Sequence, residues 1–345
     1  MPFINERLAA NQEINAREKY QREAQRASRF TFNVADVMAT LRSRIIGQVN
    51  VLTAMEDMLY SLKADFAVAT RPLSISLFLG PTGVGKTETV RVLAEALLGN
   101  ADKICHIDMN TLAQEHYSAA LTGSPPGYVG SKEGHTLFDT ERIKGRFSEP
   151  GIVLFDEIEK ANKDVVRALL NVLDTGKLML TAGSKELDFT NCLIFMTSNL
   201  GVKEITADIA RHQSGWRRWL KRQPKTQVLL IEQALHAHFD PEFINRIDRI
   251  LAFQSLAVAQ LNDVVSIELD KLNKRLQRKN AQLHLDSSAR EYLSQHYDAR
   301  FGARDLARQM RIELEPKLAK ALLDHPQNTH FVAQLQSLKL VVTPT

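Results

Sequence analysis

Cysteine is scarce: Cys105 and Cys192 are the two among 345 residues. A pair so widely separated offers neither zinc-finger spacing nor a disulfide framework, and both sit in apolar runs where packing is the expected role. Long hydrophobic stretches are missing too, with none near the roughly eighteen residues a membrane helix needs. The opening Met1-Pro2-Phe3-Ile4-Asn5-Glu6-Arg7 lacks the basic start and apolar core of a secretory leader, so a soluble cytoplasmic protein is expected. The charge surplus is only +4, though unevenly spread. What the chain does have, 44% hydrophobic residues over this length, suffices for two domains with proper cores.

The most informative stretch is Gly80-Pro81-Thr82-Gly83-Val84-Gly85-Lys86-Thr87. Glycine, four residues, then glycine, lysine and threonine is the spacing of a nucleotide phosphate cradle. The run 75–79 before it reads as a strand, and Val90, Leu93, Ala94, Leu97 and Leu98 after it recur at the spacing of a buried helix face. Glycines let backbone N–H groups turn inward around a phosphate, and the start of the helix adds its partial positive charge. Gly80, Thr82, Gly83, Val84 and Gly85 are therefore expected to line the nucleotide. Lys86 would reach the β- and γ-phosphates and the Thr87 hydroxyl would ligate Mg²⁺.

Two further apolar runs end in polar tips. Residues 151–155 read as a parallel strand covered on both faces and end in Asp156-Glu157. Open α/β sheets bind ligands at the carboxyl ends of their strands, so Asp156 is expected in the Mg²⁺ shell and Glu157 as the base on the attacking water. Residues 192–196 form a third such run, ending in Thr197-Ser198-Asn199, and Asn199 would orient the water beside the γ-phosphate.

From about 45 to 342 the chain resembles the second AAA+ module of Clp-type unfoldases, nearest to the ClpB-type disaggregases. The matching segments are Ile46-Gly47-Gln48, the phosphate loop, Ile107-Asp108-Met109, Gly127-Tyr128-Val129-Gly130, Leu154-Phe155-Asp156-Glu157, Met196 to Gly201, Pro241 to Asp248, and Gly302-Ala303-Arg304. The resemblance implies a P-loop AAA+ large domain with a parallel sheet and a smaller, mainly helical lid. It also implies an ATP hydrolase assembled as a homohexameric ring, with ATP and Mg²⁺ at subunit boundaries and a polypeptide drawn through the pore. By the same resemblance Ile46 contacts adenine, Arg246 is the arginine finger inserted into the neighbour's site, and Arg304 is a second sensor reaching the phosphates from the lid. For Arg246 the alternative is a helix-end arginine paired with Asp248 or Asp240.

Tyr128 and Val129 are expected to grip substrate. Prolines and glycines in Ser124-Pro125-Pro126-Gly127 prevent a regular element and present one aromatic, which can hold a chain through apolar area regardless of its sequence. A second loop, 175–187, would form another collar of the pore.

Departures from the family pattern narrow the expectation. The double-ring disaggregases carry a first AAA+ module, a coiled-coil middle domain and an amino-terminal substrate domain, and these 345 residues hold none of them. Cooperation with an Hsp70-type chaperone through a middle domain is therefore not expected. Protease-partnered members carry an Ile-Gly-Leu or Ile-Gly-Phe tripeptide between first sensor and arginine finger. This chain instead has Trp216 and Trp219 among Arg217, Arg218, Lys221, Arg222 and Lys225, so no peptidase partner is assigned. That segment suits single-stranded nucleic acid, docking of an acidic partner or a neighbouring subunit, or a surface helix packing its tryptophans on the core with solvated charges outside. Separately, the resemblance admits an adaptor protein.

Three parts are expected: a polar arm over 1–32, an α/β domain over 33–253 with strands near 75–79, 104–108, 152–156, 192–197 and 249–253, and a lid over 254–345. The lid would hold helices from 261, around 287–297 and 303–323, with short strands at 283–286 and 338–342. A protein-remodelling ATPase is the leading reading. A nucleic-acid-linked ATPase for transposition or replication is an alternative, but no helix-turn-helix or basic tail supports it. A nucleotide-switched regulator resembling the torsins is another, against which Arg246 argues.

Overall fold

A computed structural model describes residues 28–113, 138–179, 186–201, 227–298 and 301–345. The strands before the lid are β1 (Ser74–Leu79), β2 (Cys105–Asp108), β3 (Gly151–Asp156), β4 (Lys177–Met179), β5 (Glu186–Asp188), β6 (Cys192–Ser198) and β7 (Arg249–Ala252). Five of them form one parallel sheet in the order β2-β3-β6-β1-β7. All five strands expected from the sequence are in it.

Side chains alternate across a strand, so each apolar run feeds two cores. Ile75, Leu77, Val153, Phe155, Ile194 and Met196 enter one, and Phe78, Ile152, Leu154, Leu193 and Phe195 enter the other. The second core is closed by α1 (Val34–Arg44), α2 (Val49–Lys63) and α3 (Lys86–Leu98). Phe30, inside the segment read as a polar arm, is buried in it as well. The first core is closed by α4 (Thr140–Lys144), α5 (Lys163–Thr175), α6 (Gln227–His238) and α7 (Pro241–Asn245). Asn162 starts α5 by accepting the Asp164 N–H, and Gly176 ends it in a left-handed conformation. Cys105 and Cys192 are packed into the sheet, where burial pushes the Cys105 thiol up to about 11.

The lid contains α8 (Leu261–Leu276), β8 (Gln282–Leu285), α9 (Ser287–Gln295), α10 (Ala303–Gln309), α11 (Glu315–Asp324), β9 (His330–Gln336) and β10 (Lys339–Pro344). Its sheet runs β10-β9-β8, with Leu283, Phe331 and Leu340 facing the helices. The middle strand, β9, is not among the expected strands, although Phe331 and Ala333 alternate with exposed or half-buried neighbours. The helix expected over 303–323 is interrupted by a π turn at Met310–Leu314. Pro316 follows, and its missing N–H breaks the regular ladder at that point.

One buried side chain ties the lid linker to the large domain. The Gln48 amide donates to the Gln254 carbonyl at 2.9 Å and accepts the Gln254 N–H at 3.0 Å.

Candidate active site

The carboxyl ends of β1, β3 and β6 open onto one cleft of about 370 Å³, whose far wall is α8 and α10 of the lid. Gly83 (φ 78°) and Gly85 (φ 102°) hold left-handed conformations that only glycine adopts without strain, and Lys86 begins α3 directly after them. Ala303 donates its N–H to the Gly83 carbonyl at 2.9 Å, so the lid sits on the phosphate loop itself. A Cβ on Gly302 would lie 2.6 Å from the Gly83 backbone, which leaves room for glycine alone.

Lys86 is buried, and its ammonium donates to the Gly80 carbonyl, to the Pro81 carbonyl at 2.8 Å and to Asn199 Oδ1 at 2.9 Å. Burial pulls this amine down to about 8, against the opposing pull of Glu159, Asp156 and Glu157. Thr87 Oγ1 lies 3.3 and 3.2 Å from the two Asp156 carboxylate oxygens. Burial raises the Asp156 carboxyl, but contacts from His106, Thr197 and Thr87 outweigh it and hold the group below its ordinary value.

Glu157 has φ 59° and ψ 53°, a left-handed backbone that a side chain rarely adopts. The turn is held by the Glu157 N–H, which donates to Thr197 Oγ1 at 3.0 Å, while Thr197 also hydrogen-bonds Asp156. Its carboxylate accepts from Asn110 Nδ2 at 2.6 Å and from Asn199 Nδ2 at 3.3 Å. A carboxylate so oriented, with two amides aimed at its oxygens, can take a proton from a water in the cleft.

Ile46, Thr82, Gly83, Val84, Gly85, Lys86, Thr87, Asp156, Glu157, Asn199 and Arg304 all border the cleft. Gly80 lies behind them and supplies its carbonyl to Lys86. Arg246 does not border it: the guanidinium pairs with Asp174 at 2.7 Å, rather than with Asp248 or Asp240. Asp248 is occupied by Arg71 and by the Ile75 N–H, each at 2.8 Å. Tyr128, Val129 and the basic segment with Trp216 lie outside the described residues, and the described ends of the 175–187 loop form the hairpin β4-β5.

Sequence reasoning missed Asn110, Thr197, His106, Leu256 and Lys271. Asn110 and Thr197 stand near strand ends beside the acids, a position that parallel pairing would have revealed. Lys271 reaches Glu88 of α3 at 2.9 Å and ties lid to loop.

Among the described residues no group of three or more His, Cys, Asp or Glu side chains is arranged to hold a metal. A hydroxyl and one carboxylate converging at the phosphate loop instead fit magnesium, which draws its remaining ligands from phosphate and water. No helix among the described residues is long and apolar enough to cross a membrane.

Comparison with known proteins agrees with this geometry. Residues 71–250 match the family model of the AAA domain (Cdc48 subfamily), and 256–332 match that of the C-terminal, D2-small domain of ClpB protein. An ATP-dependent protease ATP-binding subunit-like protein, AmiB, of Pseudomonas aeruginosa is 47% identical over 87% of this chain and 82% of its own. The Chaperone protein ClpB of Meiothermus ruber is 40% identical over 82% of this chain and 32% of its own. The fold is similar to Hsp104, solved in a closed state with ATPyS and FITC casein, at a TM-score of 0.75 and 28% identity over 90% of this chain and 51% of that one. The chain thus spans about a third of that ClpB and half of Hsp104. An AAA domain and a ClpB-type lid matched in order on one chain show that the protein belongs to the Clp-type AAA+ ATPases, which couple ATP hydrolysis to remodelling of proteins.

Proposed function

We propose that ATP hydrolysis takes place in the cleft between β1, β3, β6 and the lid, and that each site is completed by Arg246 of a neighbouring subunit in a hexameric ring. Ile46 and Leu256 receive the base, and the loop from Gly80 to Thr87 cradles the phosphates. Lys86 turns from Asn199 toward the β- and γ-phosphates, while Arg304 reaches them from the lid. Thr87 and Asp156 hold Mg²⁺, which neutralises phosphate charge during transfer. Glu157 takes the proton of the attacking water, and Asn199 orients that water.

The observation carrying this reading is the division of the predicted residues. Lys86, Thr87, Asp156, Glu157, Asn199 and Arg304 share one cleft, whereas Arg246 stands apart with its guanidinium paired at the surface. A cationic group serving chemistry from such a place acts in trans.

The remodelled substrate is proposed to be an unfolded polypeptide gripped by Tyr128 and Val129, with the hairpin β4-β5 facing the same pore. The working compartment is proposed to be the cytoplasm. The boundary between large domain and lid is proposed at 253, and the arm is proposed to end before Phe30, not at 32, because Phe30 packs in the large-domain core. The protease-subunit wording in the name of the Pseudomonas relative raises a peptidase partner. The interval 202–240 has no Ile-Gly-Leu or Ile-Gly-Phe tripeptide, so none is included.

ATPase assays with casein and with single-stranded DNA test the substrate class. Stimulation by casein supports polypeptide remodelling. Stimulation by DNA alone would favour the nucleic-acid alternative and the basic segment around Trp216.

A further inference from the structure

Glu159, whose charge acts on Lys86, also receives two hydrogen bonds from opposite sides of the site. Its Oε1 accepts the Asn199 backbone N–H at 3.1 Å. Its Oε2 is buried without a hydrogen-bond partner among the described residues, an arrangement that carries a desolvation penalty. Its main-chain carbonyl accepts from His238 Nε2 at 3.0 Å. A carbonyl only accepts, so His238 carries its proton on Nε2.

His238 ends α6, and what lies beyond it leads to the arginine. The imidazole meets the Phe239 ring edge-on at 4.8 Å, and Phe239 stacks on Phe243 at 4.9 Å. Phe243 is fully buried in α7, and its carbonyl accepts the Arg246 N–H at 3.2 Å. One acid, one imidazole and two stacked rings therefore connect the backbone of Asn199 to the backbone of Arg246.

We propose that Glu159 is a positioning residue that ties Asn199 to the α6-α7 segment, so that the nucleotide contact made by Asn199 in one subunit sets how Arg246 is presented to the next. This rests on the shared-site reading above. When Asn199 turns to a γ-phosphate, its N–H pulls on the Glu159 carboxylate. The short turn Ile158–Lys160 then carries the Glu159 carbonyl, and with it His238, in the same direction. Beyond the exposed His238, the buried Phe239 and Phe243 rings are tightly packed, and packed side chains shift between discrete arrangements and do not dissipate the motion.

Mixed assemblies separate this role from a local one. Arg246→Ala subunits retain every group of their own cleft but lend no arginine, while Glu157→Gln subunits hold ATP and lend only the arginine. ATPase recovered on mixing therefore reports how Glu157→Gln subunits present Arg246. Adding Glu159→Ala to the Glu157→Gln subunit should lower the recovered rate about tenfold, the size of an ordinary coupling between sites. Glu159→Gln, which keeps an acceptor oxygen for Asn199, should restore most of it. His238→Phe in the same subunit keeps the ring but loses the N–H, and should also lower recovery; because His238 is exposed, folding should be unaffected. Undiminished recovery with His238→Phe overturns the proposal, whatever Glu159→Ala does to folding. Equal recovery with all three donors overturns it too. No recovery in the starting mixture, in assemblies shown to exchange subunits, removes the shared site and the proposal with it.

Discussion

Arg246 Nη1 lies 2.7 Å from Asp174 Oδ1, at the carboxyl end of α5 and next to the turn that opens the β4-β5 hairpin. Both side chains are well exposed, at 40% and 48%. Such a pair contributes at most about 1 kcal/mol and is easily exchanged for a stronger anion. Asp174→Asn should therefore leave the melting temperature nearly unchanged in differential scanning calorimetry. Arg246→Ala should bind ATP normally but turn over about a thousand-fold more slowly, as loss of a trans arginine does. The wild-type specific rate should rise with protein concentration. A rate independent of concentration would contradict a shared site.

Glu157→Gln should retain nucleotide affinity and lose about two to four orders of magnitude in kcat, because an amide cannot accept the water's proton. Single-turnover assays with radiolabelled ATP check this. Near wild-type turnover would remove Glu157 as the base.

Lys86 sets a pH signature. The buried amine titrates at about 8, whereas in the unfolded chain it would hold its proton to roughly 10.4. Between these values the unfolded state binds more protons, so the stability of the nucleotide-free protein rises with pH. Phosphate binding needs the charged form, so ATP affinity falls over the same window. Calorimetric titration from pH 7 to 10 should show the decline in wild type and a flat profile in Lys86→Ala.

Gly302→Ala should undock the lid. The substitution forces a side chain into φ 60° and sets a Cβ 2.6 Å from the Gly83 backbone. That backbone, with ψ −153°, is essentially restricted to glycine and costs a side chain on the order of 1–3 kcal/mol, and the clash adds to it. ATP affinity should fall at least about tenfold by fluorescence titration, while the isolated melting of the large domain changes little.

Tyr128→Ala should leave basal ATPase intact and abolish stimulation by casein, since the lost ring grips substrate and does not touch phosphate. Equal loss of basal and stimulated rates would assign the loop a structural role.

Sequence alone determined the parallel sheet, because uninterrupted apolar runs such as 151–155 can only be covered on both faces. It also determined the phosphate loop, since the glycines, Lys86 and Thr87 act within one turn and their spacing is their geometry. Residues whose function depends on distant parts of the chain escaped that reading. Asn110 meets Glu157 only because β2 lies beside β3, and Lys271 meets Glu88 only because the lid folds over α3. Local spacing offers Arg246 its near neighbours Asp240 and Asp248 as partners. Tertiary packing chose Asp174, because Arg71 and the Ile75 N–H already occupy Asp248. Local spacing encodes a group that acts on its own turn of chain, whereas contacts between elements depend on which strands and helices become neighbours, and only the folded chain decides that.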